Sequence, residues 1–254
     1  MEDLKYKIGL GLIEGVGHRN AKKLISYCGG VEAVFKEKKA ALLKIPRIPL
    51  KTAHNILSQK VLNRAEEEIE FMEKNDIQAL FFLDNNYPQR LKFCNDGPIM
   101  LYTSGRMDLN TEKIISIVGT RKISQYGREV CAELVEGLKK HKALVVSGMA
   151  YGVDIYAHRA ALKGGLQTVA CLAHGLDRLY PSIHRSTADK MKENGGLITE
   201  FLSGTNPDRE NFPTRNRIIA GMADVTLVIE SDIRGGSLIT AELALGYNRD
   251  VLAV

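Results

Sequence analysis

The sequence predicts an α/β protein: a small all-helical domain followed by an extended Rossmann-like, doubly wound and mostly parallel sheet. Three observations predict it. The first half of the chain carries its apolar residues at helical spacing. From Ile114 onward, short apolar runs alternate with longer amphipathic segments, which is the pattern of βαβ units. Glycines follow three of those runs, at the carboxyl ends of strands where such a sheet holds its ligand. A chain of 254 residues is long for one small core, and two domains are expected, 1–80 helical and 81–254 Rossmann-like.

Composition narrows the class. With 44% hydrophobic and 26% charged residues and only seven prolines, the chain is neither disordered nor fibrous. Its start is acidic, Glu2-Asp3, where a signal peptide is basic, and no apolar run approaches the roughly 18 residues of a membrane span. A cytoplasmic protein without membrane contact is expected. Cys28, Cys94, Cys131 and Cys171 form no C-x-x-C pair and have no histidine at a ligand spacing, so neither a metal site nor a disulfide framework is indicated, and no cofactor is expected. The net charge is only +5, but over residues 15–51 nine lysines and arginines face Glu32 and Glu37 alone, an asymmetry that suits a polyanion.

The helical part contains an internal repeat at an offset of 32 residues, Ile13–Leu24 aligning with Ile45–Ile56. The first copy has the form of a helix-hairpin-helix element. Gly15 and Gly17 allow a tight turn that presents backbone N–H groups to a phosphate, with Arg19 and Lys22 beside them as further contacts. In the second copy Arg47 and Pro49 replace the glycines, so that copy is expected to lack the flexible turn and to serve as a structural partner. A long helix near 61–75 and a turn-rich connection through Asp84–Pro88 and Asp96–Pro98 follow.

A short strand is expected at Ile99–Tyr102, ended by Ser104-Gly105. Further strands are read at Ile114–Val118, Ala143–Ser147, Gln167–Leu172, Leu197–Phe201, Asp224–Glu230 and Val251–Val254. Helices fall near Gln125–His141, Asp154–Leu162, Pro181–Glu193, Thr214–Met222 and Ser237–Tyr247.

Three strand ends carry Gly119-Thr120-Arg121, Ser147-Gly148 with Gly152, and Gly235-Gly236-Ser237, each beside a helix start. Close backbone approach and helix N-termini suit an anion such as phosphate. Neither G-x-G-x-x-G nor G-x-x-x-x-G-K-[ST] is present, which removes the usual basis for dinucleotide or triphosphate binding. Arg121 and the run Phe212-Pro213-Thr214-Arg215-Asn216-Arg217 add guanidinium groups and an aromatic ring, the combination that grips phosphates and stacks bases of a single strand. Asp154 and His158, four apart, are read as a helix N-cap and a satisfied buried histidine rather than a metal or acid–base pair.

From about Pro88 to Val254 the ordered motifs resemble the DNA-processing protein A family, also called Smf. They are Val118-Gly119-Thr120-Arg121, Ser147–Asp154 with Ala157-His158, Gly175-Leu176-Asp177 with Tyr180-Pro181, Phe212-Pro213 with Arg215–Gly221, and Gly236–Ala241. The resemblance implies a homodimeric protein that binds single-stranded DNA with little sequence preference. It also implies help in loading the recombinase RecA onto strands that competent cells take up in natural transformation. It makes Arg121 and Arg215-Asn216-Arg217 the phosphate-binding residues and the helical part a sterile-alpha-motif-like (SAM-like) domain. Gly235 stands where the family usually has serine, Phe201-Leu202 departs from an aromatic-Pro pair, and Val254 closes a strand where family sequences continue, which implies a truncated chain. With no nucleophile, metal set or acid–base pair in view, a non-enzymatic protein is expected. The competing reading is a phosphoribohydrolase of the lysine-decarboxylase-like class, whose glycine loop is faintly similar to Gly235–Glu242.

Overall fold

A computed structural model describes residues 2–233 and 235–254. The chain divides into two compact units, one running to Phe82 with Pro98–Met100, the other comprising Leu83–Gly97 and Leu101–Val254.

The first unit holds helices α1 (Glu2–Leu12), α2 (His18–Cys28), α3 (Val31–Lys36), α4 (Lys39–Leu42), α5 (Leu50–Ser58) and α6 (Val61–Lys74), then a strand β1 (Gln78–Phe81) that the periodicity did not announce. Leu10, Leu24, Val34, Leu42 and Ile56 are fully buried in its core. The repeat is visible in the backbone. Gly15 and Arg47 both take left-handed conformations, with φ of 87° and 67°. Gly17 and Pro49 are the N-caps of α2 and α5, at φ −77° and −75°. Val16 N to Ile13 O matches Ile48 N to Ile45 O. The second copy therefore keeps the tight turn that its loss of glycine was expected to remove; Arg47 bears the left-handed strain instead. The copies contact each other reciprocally: Lys23 Nζ donates to Pro46 O, and Asn55 Nδ2, its counterpart 32 residues on, donates to Glu14 O.

In the second unit a short helix α7 (Gln89–Lys92) precedes β2 (Met100–Arg106), β3 (Ile114–Gly119), α8 (Gln125–Leu138), β4 (Leu144–Ser147), α9 (Val153–Lys163) and β5 (Thr168–Cys171). Then come α10 (Arg185–Met191), β6 (Gly195–Thr199), α11 (Asn211–Met222), β7 (Val225–Ile229), α12 (Gly236–Gly246) and β8 (Asp250–Ala253). Its strands lie in the order β2-β6-β5-β4-β3-β7-β8. All neighbours are parallel except β2 and β6, which run antiparallel. The order reverses between β3 and β7, so the chain leaves the adjacent carboxyl ends of those two strands toward opposite faces of the sheet and a crevice opens beyond them.

Alternation across the sheet sets its two faces. Ile117, Val145, Leu227 and Ile229 pack on one side with Cys131 and Val135 of α8 and Ala157 and Ala161 of α9. The intervening Ser116 donates to Thr226 at 2.7 Å. Arg90 grips Asp224 with two nitrogens at 2.7 and 2.8 Å, and the same carboxylate accepts from the Ile114 amide, at the end of β3 remote from the crevice.

Three boundaries differ from the sequence expectation for identifiable reasons. β2 continues through Ser104-Gly105 because it pairs with Gly196 and Gly195, and a β-carbon on Gly105 would overlap the Gly195 carbonyl. Here glycine permits close pairing rather than ending the strand. α11 begins at Asn211, ahead of Pro213, since first-turn N–H groups have no intrahelical acceptor and proline loses nothing there. The stretch expected as one helix at Pro181–Glu193 is a 3-10 turn at Ser182–His184 followed by α10. Among the described residues no helix is long and apolar enough to cross a membrane, and no group of three His, Cys, Asp or Glu stands where it would hold a metal ion.

Candidate functional site

The crevice at the β3/β7 reversal is a cleft of about 460 Å³. Gly119, Thr120 and Arg121 enter it from the end of β3, Asp154 from the start of α9, Phe212, Arg215 and Asn216 from α11, and Gly235, Gly236 and Ser237 from the start of α12. Close backbone packing builds its floor. A β-carbon on Gly119 would overlap the Ile229 carbonyl, and one on Gly152 would overlap that of Thr120. Gly152 is also the N-cap of α9 at φ 76°, a conformation that favours glycine. Thr120 is held from both sides, its N–H donating to Glu230 O at 2.7 Å and its carbonyl accepting from Val153 N at 3.1 Å. Gly236, by contrast, has open space around its α-carbon.

The charges are arranged in depth. Arg121 is exposed at the mouth, its guanidinium 6.0 Å from the Phe212 ring centroid. Phe212 in turn meets Tyr180 edge-on at 6.2 Å. Arg215 is buried below, donating to Cys171 O and, through Nε, to Asn216 Oδ1 at 3.2 Å. Asp154 stands with it. Its carboxylate accepts from the Ala150 amide at 3.2 Å, and burial raises its pKa while Arg215 opposes that shift. Asp154 is therefore not the expected N-cap of α9, a position Gly152 holds, but lies inside the first turn, where the N-terminal partial charge also favours an anion.

His158 is buried with both ring nitrogens engaged, Nε2 with Gly148 O at 2.6 Å and Nδ1 with Thr168 Oγ1 at 2.7 Å. Burial pushes its pKa down to about 4, so the ring is neutral. A neutral ring donates once, so Nε2–H goes to the carbonyl and Nδ1 faces the Thr168 hydroxyl, whose proton is shared with Val145 O at 2.9 Å. It matches the satisfied core histidine expected. Ser147 is likewise wholly buried, its hydroxyl donating to Ile117 O at 2.6 Å, and it supports the strand end rather than facing the cleft. Ser237 shares a hydrogen bond of 2.7 Å with Ser231.

Arg217 does not join the group. It is buried in an ion pair with Glu200 and donates to Asp96 O at 2.6 Å. Residues two apart on a helix point about 200° apart, so Arg215 and Arg217 cannot line one cleft. Asp154, expected as an N-cap, supplies a countercharge to Arg215, and Tyr151 and Tyr180, present in the sequence only as members of the family-like motifs, extend the aromatic rim. Both tyrosines border a small recess of about 40 Å³ shared with Arg121 and Phe212. In the first unit Gly15 is left-handed and its α-carbon packs against Thr52, Gly17 caps α2, Arg19 is exposed, and Lys22 lies 5.5 Å from the Phe82 ring centroid.

A doubly wound sheet with an arginine- and aromatic-rimmed cleft at its reversal point defines a Rossmann-like protein whose cleft suits an anion. Residues 78–254 match the family described as DNA recombination-mediator protein A, and the chain belongs to that family. Protein Smf of Synechocystis is 32% identical over 253 residues, 98% of this chain and 64% of that protein. DNA processing protein DprA of Streptococcus pneumoniae is 37% identical over 172 residues, 68% of this chain and 61% of that protein. The chain thus spans less than two thirds of the length of these relatives. The X-ray structure of the Streptococcus pneumoniae DprA superposes with a TM-score of 0.84 at 29% identity, covering 98% of this chain and 86% of that one. DNA processing protein A of Helicobacter pylori, solved for its single-stranded DNA binding mode, gives a TM-score of 0.64 at 29% identity, covering 70% of this chain and 80% of that one.

Proposed function

We propose that this chain binds single-stranded DNA in the β3/β7 cleft, reading backbone and ring faces rather than base edges, and that it performs no covalent chemistry. The observation that carries the reading is the exposed Arg121 guanidinium beside the Phe212 ring at the mouth of a cleft with Arg215 at its floor. Guanidinium forks bind phosphate oxygens, and an aromatic face stacks any base. Gly119, Thr120, Gly148, Gly152, Asn216 and the Gly235–Ser237 turn shape the floor, with Ser147 beneath. His158 has both ring nitrogens engaged, which leaves it none free for proton transfer.

The likeness to the DNA-processing proteins and to the Helicobacter pylori protein supports the substrate class. It extends the proposal to a cytoplasmic recombination role in natural transformation, with a homodimer as the working form and the recombinase RecA as partner. The helical domain, with Arg19 exposed next to the Gly15–Gly17 turn, is proposed to add a phosphate contact. The test is a salt titration of single- and double-stranded oligonucleotide binding by fluorescence anisotropy. Single strands should bind more tightly, with affinity falling steeply as salt rises, because phosphate contacts release counterions. Equal, salt-insensitive binding of both forms would refute the proposal.

A further inference from the structure

A second recess, of about 300 Å³, adjoins the cleft at Arg121, which lines both. Its charge is one-sided. Arg121, Lys122, Arg128 and Arg159 line it, and no carboxylate does. The chain as a whole carries 35 basic against 30 acidic residues, and the cleft itself includes Asp154 and Asp232, so four cations without an acid depart from the surroundings. Like charges gathered in a concave surface repel one another and raise the local anion concentration.

The recess also offers surfaces for bases. Tyr151 is half exposed and meets the His184 ring edge-on at 5.1 Å. The Arg128 guanidinium lies 5.1 Å from the Tyr156 ring centroid, leaving a flat cation-backed face. His184 is the most telling residue. It is only 4% exposed, it lines the recess, and neither ring nitrogen has a hydrogen-bond partner among the described residues. Buried polar atoms are normally paired, and leaving them unpaired is unfavourable. Burial and the charge of Arg159 hold the ring neutral, so it presents one donor and one acceptor. That pair suits a base edge or a sugar-phosphate oxygen.

We propose that this recess takes further nucleotides of the same DNA strand that occupies the cleft, with Arg128 and Arg159 on phosphates, Tyr151 stacked on a base and His184 hydrogen-bonded to the strand. The strand would then turn about Arg121, which lines both the cleft and this recess, with Tyr151 between this recess and the small one of about 40 Å³. This inference rests on single-strand binding in the cleft. It makes the site two connected subsites, so binding should strengthen with strand length beyond what the cleft alone holds.

The experiment measures anisotropy of the full chain with oligothymidylates from about 4 to about 16 nucleotides, a range that brackets known single-strand sites. Arg128 and Arg159 are exposed, and the double variant R128A/R159A should keep the fold. It should bind the shortest oligomers as the parent does. For the longest, its salt slope should fall by about 1.4, two phosphates at roughly 0.7 each. His184→Phe keeps the ring but removes both nitrogens and should weaken only the longer oligomers, by about fivefold, the worth of one hydrogen bond. If that variant unfolds, the double variant still decides. Unchanged binding by the double variant at every length, or equal loss at every length, would overturn the two-subsite inference while Arg121→Ala still weakens binding. No effect of Arg121→Ala at any length would instead sink the cleft reading itself.

Discussion

Asp154 and Arg215 flank the α-carbon of Gly148: a β-carbon there would overlap Asp154 Oδ2 and stand 2.8 Å from Arg215 Nη2. Both side chains are buried, at 8% and 5% exposure. Burial raises the carboxyl pKa and lowers that of the guanidinium, and each charge opposes the other's shift. The carboxylate therefore keeps a full positive charge at the floor of the cleft, and glycine keeps the two in register.

Gly148→Ala should break this arrangement. Neither partner can swing into solvent, so we expect a loss of about 1–3 kcal/mol, as for overpacked cores, together with weaker single-strand binding. Denaturant unfolding and anisotropy on the same sample check it. Unchanged values in both would mean that the pair moves aside freely.

Asp154→Asn leaves Arg215 buried without its countercharge, which should cost about 3 kcal/mol of stability. A bound phosphate would supply the missing anion, so oligothymidylate should raise the Tm of this variant by more than it raises the parent's. A smaller shift in the variant would place the phosphate away from Arg215.

The two arginines first grouped together should separate in their effects. Arg121→Ala should weaken binding of all sequences alike, by roughly tenfold for one charged contact near 1.5 kcal/mol, with Tm unchanged. Arg217→Ala should cost about 3 kcal/mol by removing the buried countercharge of Glu200, and the fraction still folded should bind normally. Comparing Tm with stoichiometry-corrected affinity distinguishes them, and loss of affinity in a fully stable R217A would contradict the placement.

Stability should fall in mild acid. His158 titrates near 6.5 when unfolded and is pushed down to about 4 when folded. Between those values the unfolded chain binds more protons, so the contribution, present in full above about 6.5, is lost as pH falls toward 4 and amounts to about 3 kcal/mol. Buried His174 and His184 shift in the same direction, whereas the raised carboxyl of Asp154 acts in the opposite sense. Urea midpoints across pH 7 to 4 should show the fall, and His158→Gln should flatten it.

The sheet was legible because each parallel strand is a short apolar run, and two of them close on glycine, at Gly119 and Gly148. The cleft was legible to the same extent, since the reversal of strand order forces those ends together. Arg217 lies in an ion pair with Glu200 rather than in the cleft, because helix geometry turns position 217 away from position 215. Tyr151 and Tyr180 stand within the family-like motifs but carry no sign of an aromatic rim there, since only the tertiary fold brings them to His184 and Phe212. Arg47 shows the limit of reading turns from glycine: the second copy of the repeat adopts the left-handed turn without one.

Thr120, fixed between the backbones of Glu230 and Val153, has a kinetic consequence. The residue preceding Arg121 is anchored before any ligand arrives, so little chain ordering is needed at encounter. Association should run close to the rate set by charge-steered diffusion, and differences between strands should be expressed in how long they stay.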